Sequence, residues 1–79
     1  MKKTLVITGS LCQFESFLIE KNRDRRSYIY VHSIDQIRGI RGETIVFYGS
    51  YRLVSKALLD EANFRIQTGD LIWKDWKTV

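Results

Sequence analysis

Apolar residues along this chain fall into short blocks of two different periods. Residues 4–8 (Thr-Leu-Val-Ile-Thr), 28–31 (Tyr-Ile-Tyr-Val) and 44–48 (Thr-Ile-Val-Phe-Tyr) are nearly continuous β-branched or aromatic runs. That is the pattern of strands covered on both faces. Between the first two runs, Leu11, Phe14, Phe17 and Leu18 recur at helical spacing, which predicts an amphipathic helix. Lys21, Asn22 and Arg23 close it, with cations placed to complement the helix dipole. Ser10 with Gln13, and Ser33 with Gln36, have the Ser-x-x-Gln spacing of a capping box. The second box predicts a short helix with Ile34 and Ile37 turned inward, stopped by Gly39 and Gly42. Past Gly49-Ser50, the residues Val54, Ala57, Leu58 and Glu61 share one stripe, predicting a third helix over 51–62. Phe64-Arg65-Ile66-Gln67 reads as a fourth strand, Gly69-Asp70 as a turn, and Leu71-Ile72-Trp73 as a further short strand or an irregular cover.

Strands alternating with helices at this spacing predict parallel pairing through right-handed crossovers. The expected architecture is a small, open three-layer α/β fold with a mainly parallel sheet of order 2-1-3-4. This is half of a doubly wound Rossmann- or flavodoxin-like fold. The chain lacks proline, linkers and low-complexity segments, so residues 1–79 read as a single domain.

Composition sharpens this picture. At 79 residues a hydrophobic core is thin, because burial and chain entropy nearly cancel below roughly 80 residues. Cys12 has no partner for a disulfide, and Cys12 with His32 falls short of the four ligands of a structural zinc site. An efficient core or self-association is left to supply stability; the 44% hydrophobic content and ten aromatic residues favour a packed core over disorder. Thirteen basic against nine acidic residues give a net charge of +4, which suits acidic partners. Met1-Lys2-Lys3 imitates the start of a signal peptide, but Leu5-Val6-Ile7 is too short for its apolar region. No run approaches a membrane span. A lone cysteine without an export signal points to the cytoplasm, and no membrane partner is expected.

Open parallel sheets bind ligands outside the carboxyl ends of their strands. Thr8, Gly9, Ser10, Ser33, Gly49 and Ser50 fall there, before helix N-termini, as a candidate anion-binding rim. The same serines are equally explained as caps and the glycines as turns. Neither Gly-x-x-x-x-Gly-Lys-Ser/Thr nor Gly-x-Gly-x-x-Gly is present. No strand ends in Asp or Glu, which argues against Mg²⁺-dependent phosphoryl transfer, and there is no Gly-x-Ser-x-Gly elbow. Cys12 has no redox partner and is expected to be a small packed residue. His32 lies on the functional edge, but a general base also needs an orienting acid and a nucleophile, and the nearby Asp35 is explained as a first-turn acid. No catalytic residue, cofactor or metal is expected. Arg38 and Arg41, set among glycines, together with Lys74 and Lys77, are candidate nucleic-acid contacts. Lys21 to Arg26 is a basic loop on the opposite edge. Trp73 and Trp76, interleaved with those lysines, suit base stacking, a cover for the core, or interface anchors.

Residues 13–18 (Gln-Phe-Glu-Ser-Phe-Leu), 28–31, 37–42 (Ile-Arg-Gly-Ile-Arg-Gly) and 45–51 (Ile-Val-Phe-Tyr-Gly-Ser-Tyr) resemble small proteins encoded by tailed phages and prophages. The likeness spans about residues 4 to 52. It implies a viral accessory protein in a bacterial host's cytoplasm and carries over no catalytic residue. The leading expectation is therefore a non-enzymatic module that binds a host or phage protein, or a second copy of itself. Two alternatives stand beside it: a nucleic-acid-binding module on the basic and aromatic surface, and a small nucleotide or anion sensor at the strand ends.

Overall fold

The computed structural model describes residues 3–78; Met1 and Lys2, part of the signal-like start, and Val79 lie outside the described residues. Four strands form one all-parallel sheet in the order β2-β1-β3-β4, with β1 at Thr4–Ile7, β2 at Tyr28–Val31, β3 at Glu43–Phe47 and β4 at Leu71–Trp73. The predicted open 2-1-3-4 sheet is what forms.

Alternation along the strands divides the core into two halves. Leu5, Ile7, Val31 and Ile45 point to one face, where helix α2 (Lys56–Gln67) supplies Leu58 and Ala62. Val6 and Val46 point to the other, where α1 (Leu11–Lys21) supplies Phe14, Phe17 and Leu18. Leu5, Val6 and Ile7 are all fully buried, as a strand sandwiched between helices requires. Tyr28 and Tyr30 of β2, with Tyr48 just past the end of β3, ring the α1 half. Phe17 meets Tyr28 and Tyr48 edge-on, with centroids 5.6 and 5.2 Å away, a favoured aromatic geometry. The Tyr48 hydroxyl donates to Glu20 at 2.9 Å; burial first, and then Glu20, push its phenol above the ordinary value.

Helix α1 ends where expected: Asn22 takes the left-handed conformation (φ 52°) that closes a helix, and Lys21 sits in the last turn. Three expectations are corrected. The second connection carries one 3-10 turn, Ile34–Gln36, rather than a helix, though Ile37 is buried as foreseen. The third helix does not span 51–62. A 3-10 turn at Tyr51–Leu53 comes first, then Ser55 caps the Leu58 N–H at 3.2 Å and α2 runs on to Gln67. Residues 64–67 are therefore helical, because Leu58, Ala62 and Ile66 repeat at i, i+4, i+8 against the sheet and no breaker intervenes before Gly69. The fourth strand is Leu71–Trp73 instead. Arg65 ties the last turn of α2 to the preceding turn and to the entry of β4, bonding Glu61 at 2.8 Å and Asp70 at 3.5 Å.

Cys12 is also corrected, being exposed. It lies two residues before Phe14, about 200° around the helix from that buried ring. Leu11, at the edge of the stripe, remains 45% exposed.

Candidate functional site

The connection leaving β1 crosses the α1 face and the one leaving β3 crosses the α2 face, so the chain diverges between the carboxyl ends of β1 and β3. In doubly wound sheets this crevice is the ligand site. The structure brings Thr8, Gly9, Gly49 and Ser50 together there, and their common partner is Gln13. Its amide oxygen Oε1 accepts from the Thr8 hydroxyl at 2.7 Å, the Gly9 N–H at 3.0 Å and the Ser50 N–H at 3.0 Å. Its Nε2 donates to the Ser50 Oγ at 3.0 Å. Two backbone N–H groups can only donate, so they fix which end of the amide faces the crevice. The Thr8 side chain is fully buried and fully satisfied by this bond.

Gln13 reaches this position because Ser10 starts α1 by accepting from the Gln13 N–H at 3.3 Å. The first turn then points the Gln13 side chain back over the strand end. In an ordinary capping box it would meet the Ser10 N–H. Here it passes that group and joins the β1 loop to the β3 loop. Gly49 (φ +60°) and Gly9 make room for it. A Cβ on Gly49 would stand 2.8 Å from Gln13 Oε1, and one on Gly9 would stand 2.7 Å from the Ser50 carbonyl oxygen. Gly9→Ala is expected to force the two loops apart and lower stability by about 1–2 kcal/mol, measurable by urea unfolding; an unchanged midpoint would show that the loops give way freely.

Ser33 does not join this cluster. It lies at the end of β2, where Gln36 repeats the device: its Oε1 accepts from the His32 N–H at 2.6 Å and the Ser33 N–H at 3.0 Å, and its Nε2 donates to the Tyr30 carbonyl at 3.0 Å. Both strand-end nests that could hold an anion are thus filled by a glutamine from the following turn. His32 is exposed, with its ring tilted against that of Tyr30 at 5.4 Å, while Asp35 pairs with Arg38 at 3.6 Å. Among the described residues, no three His, Cys, Asp or Glu side chains come together as a metal site would need.

The four candidate nucleic-acid residues do not share a surface. Arg41 precedes β3 at the amino end of the sheet and faces Asp70 at 3.9 Å. Arg38 sits on the return loop, paired with Asp35. Lys74 and Lys77 follow β4 beyond its carboxyl end. The two tryptophans differ in burial. The chain after β4 turns inward through Asp75, whose carboxylate accepts the Lys77 N–H at 3.0 Å. This sets Trp76 edge-on to Tyr48 at 4.9 Å, with Lys21 and Lys77 over its ring at 5.5 and 5.9 Å. Lys21 also donates to the Lys77 carbonyl at 2.8 Å. Trp76 is a cover for the α1 half of the core.

Trp73 is not. It is 53% exposed, and its neighbour Ile72, on the opposite face of the strand, is 50% exposed. Beside Trp73 a cleft of about 270 Å³ opens, lined also by Phe47, Gly49, Tyr51, Asp75 and Trp76. A larger groove of about 400 Å³ lies at the far end of α1, around Leu18, Ile19, Asn22 and Arg25, away from the strand ends.

Sequence reasoning placed Gln13 in a capping box but missed its long-range partners, since nothing local ties position 13 to position 50. It names Trp73 and Trp76 together, and both line the one cleft, but the turn at Asp75 and the Lys21 contact bury Trp76 more deeply. No helix among the described residues is long and apolar enough to cross a membrane. Comparison with protein-family models, curated proteins and solved structures finds no match.

Proposed function

We propose that this chain is a non-enzymatic binding protein that acts by protein–protein association through the outer side of β4. It fits the phage-accessory role implied by the resemblance, in the cytoplasm of a bacterial host. The supporting observation is that β4 has no strand on its outer side among the described residues, yet exposes an apolar side chain on each face, Ile72 and Trp73. Solvent-exposed sheet edges are ordinarily shortened, charged or covered. This one is short, but it presents a large aromatic of the type that anchors interfaces. An anion or nucleotide sensor has less support, because Gln13 saturates the donors such a ligand would need. A nucleic-acid module has less support because its four cations are dispersed, two of them beside carboxylates.

The test is affinity capture from bacterial lysate with the wild-type chain and with an Ile72→Lys/Trp73→Lys variant whose fold is checked by circular dichroism. A partner retained by the first and lost from the second is the expected result. Equal capture by both, or no specific capture by either, overturns the proposal.

A further inference from the structure

Resting on β4 as the docking edge, we infer that this edge takes a second copy of the same chain, in antiparallel register about a two-fold axis through Ile72. The hydrogen-bonding parity of the strand leads to this register. Asp70 accepts from the Gly42 N–H at 2.7 Å and Lys74 donates to the Ile45 carbonyl at 3.1 Å, so these two positions face inward to β3. Alternation in a parallel ladder puts Ile72 inward with them and turns the backbone groups of Leu71 and Trp73 outward.

An antiparallel mate can bond only where outward residues oppose each other. Centred on Ile72, Leu71 of each copy meets Trp73 of the other, giving two hydrogen-bonded pairs. Centring the axis on Leu71 or on Trp73 leaves only one such pair formed wholly within β4.

Charge and apolar surface agree with the same centre. Asp70 at the start of the strand comes opposite Lys74 of the second copy, and Lys74 opposite its Asp70, so the exposed part of each carboxylate faces an ammonium group. Cross-strand pairs of opposite charge are favourable. Arg41 and Arg65 approach Asp70 at 3.9 and 3.5 Å, and Asp70 stays partly exposed. On one face the two Ile72 side chains meet across the axis. On the other, Trp73 covers the edge beside the second copy's Leu71. Residues 74–76 leave this edge open, because the chain turns inward there to place Trp76 on Tyr48. The product is one continuous eight-stranded sheet, which closes as a two-fold dimer and adds buried surface to a thin core.

The experiment uses the full chain with Cys12→Ser, so that the only thiol is the one introduced. Sedimentation across the micromolar to sub-millimolar range should show a monomer–dimer equilibrium. Trp73→Pro removes an outward N–H without touching the bonds to β3, and should give a folded monomer. Ile72→Cys should oxidise to a covalent dimer, since residues opposed in a non-hydrogen-bonded pair lie within disulfide reach. Lys74→Cys, displaced from the axis, should cross-link far less. A wild-type chain that stays monomeric throughout, a dimer unaffected by Trp73→Pro, or equal cross-linking at 72 and 74 overturns the inference. A monomeric wild type that still captures a partner dependent on Ile72 and Trp73 rejects the second copy while keeping the docking edge. A dimer with the stated register alongside capture indifferent to those residues supports the second copy and rejects the heterologous partner.

Discussion

Replacing Gln13 with alanine is expected to lower the stability of the fold by about 2–3 kcal/mol. One side chain satisfies three donors, and they come from two loops that hold the centre of the sheet together. The Thr8 hydroxyl is the costliest to orphan, because its side chain is fully buried. Gly9 and Ser50 are partly exposed, so water recovers some of their loss and keeps the total below three full penalties. For a domain of this size the change corresponds to a fall in Tm of roughly 10–20 °C, read directly by thermal unfolding. A fall of only a degree or two would mean that the crevice solvates readily and that Gln13 is an ornament of the α1 N-terminus.

Gln13→Glu separates the hydrogen bonds from the packing. A carboxylate accepts from the same three groups, and Ser50 needs only to turn its hydroxyl from accepting to donating. Charge-assisted bonds of this kind are stronger than neutral ones, and the α1 N-terminus favours the added negative charge. The variant should match or exceed the wild type at neutral pH. Three donors lower the folded-state pKa of the new carboxyl, so its contribution is complete above the ordinary value of about 4.3. It is then lost as the pH falls through the lowered value. Unfolding midpoints measured from pH 7 downward should fall toward those of the wild type as the carboxyl protonates, because the neutral acid keeps one accepting oxygen and can donate its O–H to Ser50 as the amide does. A glutamate variant that is unstable at neutral pH would show that the Nε2 bond to Ser50, rather than the accepting oxygen, holds the loops.

How far the sequence reveals this architecture depends on how local each determinant is. The strands were legible because Leu5-Val6-Ile7 and Ile45-Val46-Phe47 are continuous apolar runs, which a half-exposed strand would not tolerate. Their parallel order followed from the connections. The boundaries of α2 were not legible. Phe64-Arg65-Ile66-Gln67 alternates like a strand, and only the sheet beneath Leu58, Ala62 and Ile66 decides for the helix. The Ser-x-x-Gln spacing announced both glutamines as caps. That they fill the strand-end nests depends on where β3 delivers Ser50 and on how the chain leaves β2. Trp73 and Trp76 are three residues apart and chemically alike. Their different burial, one half-covering the core and one mostly in solvent, is set by the Asp75 turn, which is local, and by the Lys21 contact with residue 77, which tertiary structure alone supplies.

Phe17→Ala should have the larger effect, about 3–5 kcal/mol, because the α1 half of the core has so few members. Among the described residues only Val6, Phe14, Phe17, Leu18 and Val46 are buried there, and Phe17 is fully so. Its ring is also the middle of an edge-to-face series from Tyr28 through Tyr48 to Trp76. Truncation removes the contact that positions Tyr48, and with it the surface on which Trp76 rests. A domain of this length has a total stability of roughly 4–12 kcal/mol, so the loss takes a large share of the whole. The measurement is urea unfolding followed by tryptophan fluorescence in a Trp73→Phe background, where Trp76 is the sole reporter. The expected outcome is a midpoint displaced to low urea and a red-shifted emission before the main transition. Phe17→Leu retains most of the apolar volume and should recover more than half of the loss. If alanine costs less than about 1 kcal/mol, α1 has collapsed onto the sheet. The layer would then be held by its polar latch at Gln13, and the order of the two variants would reverse.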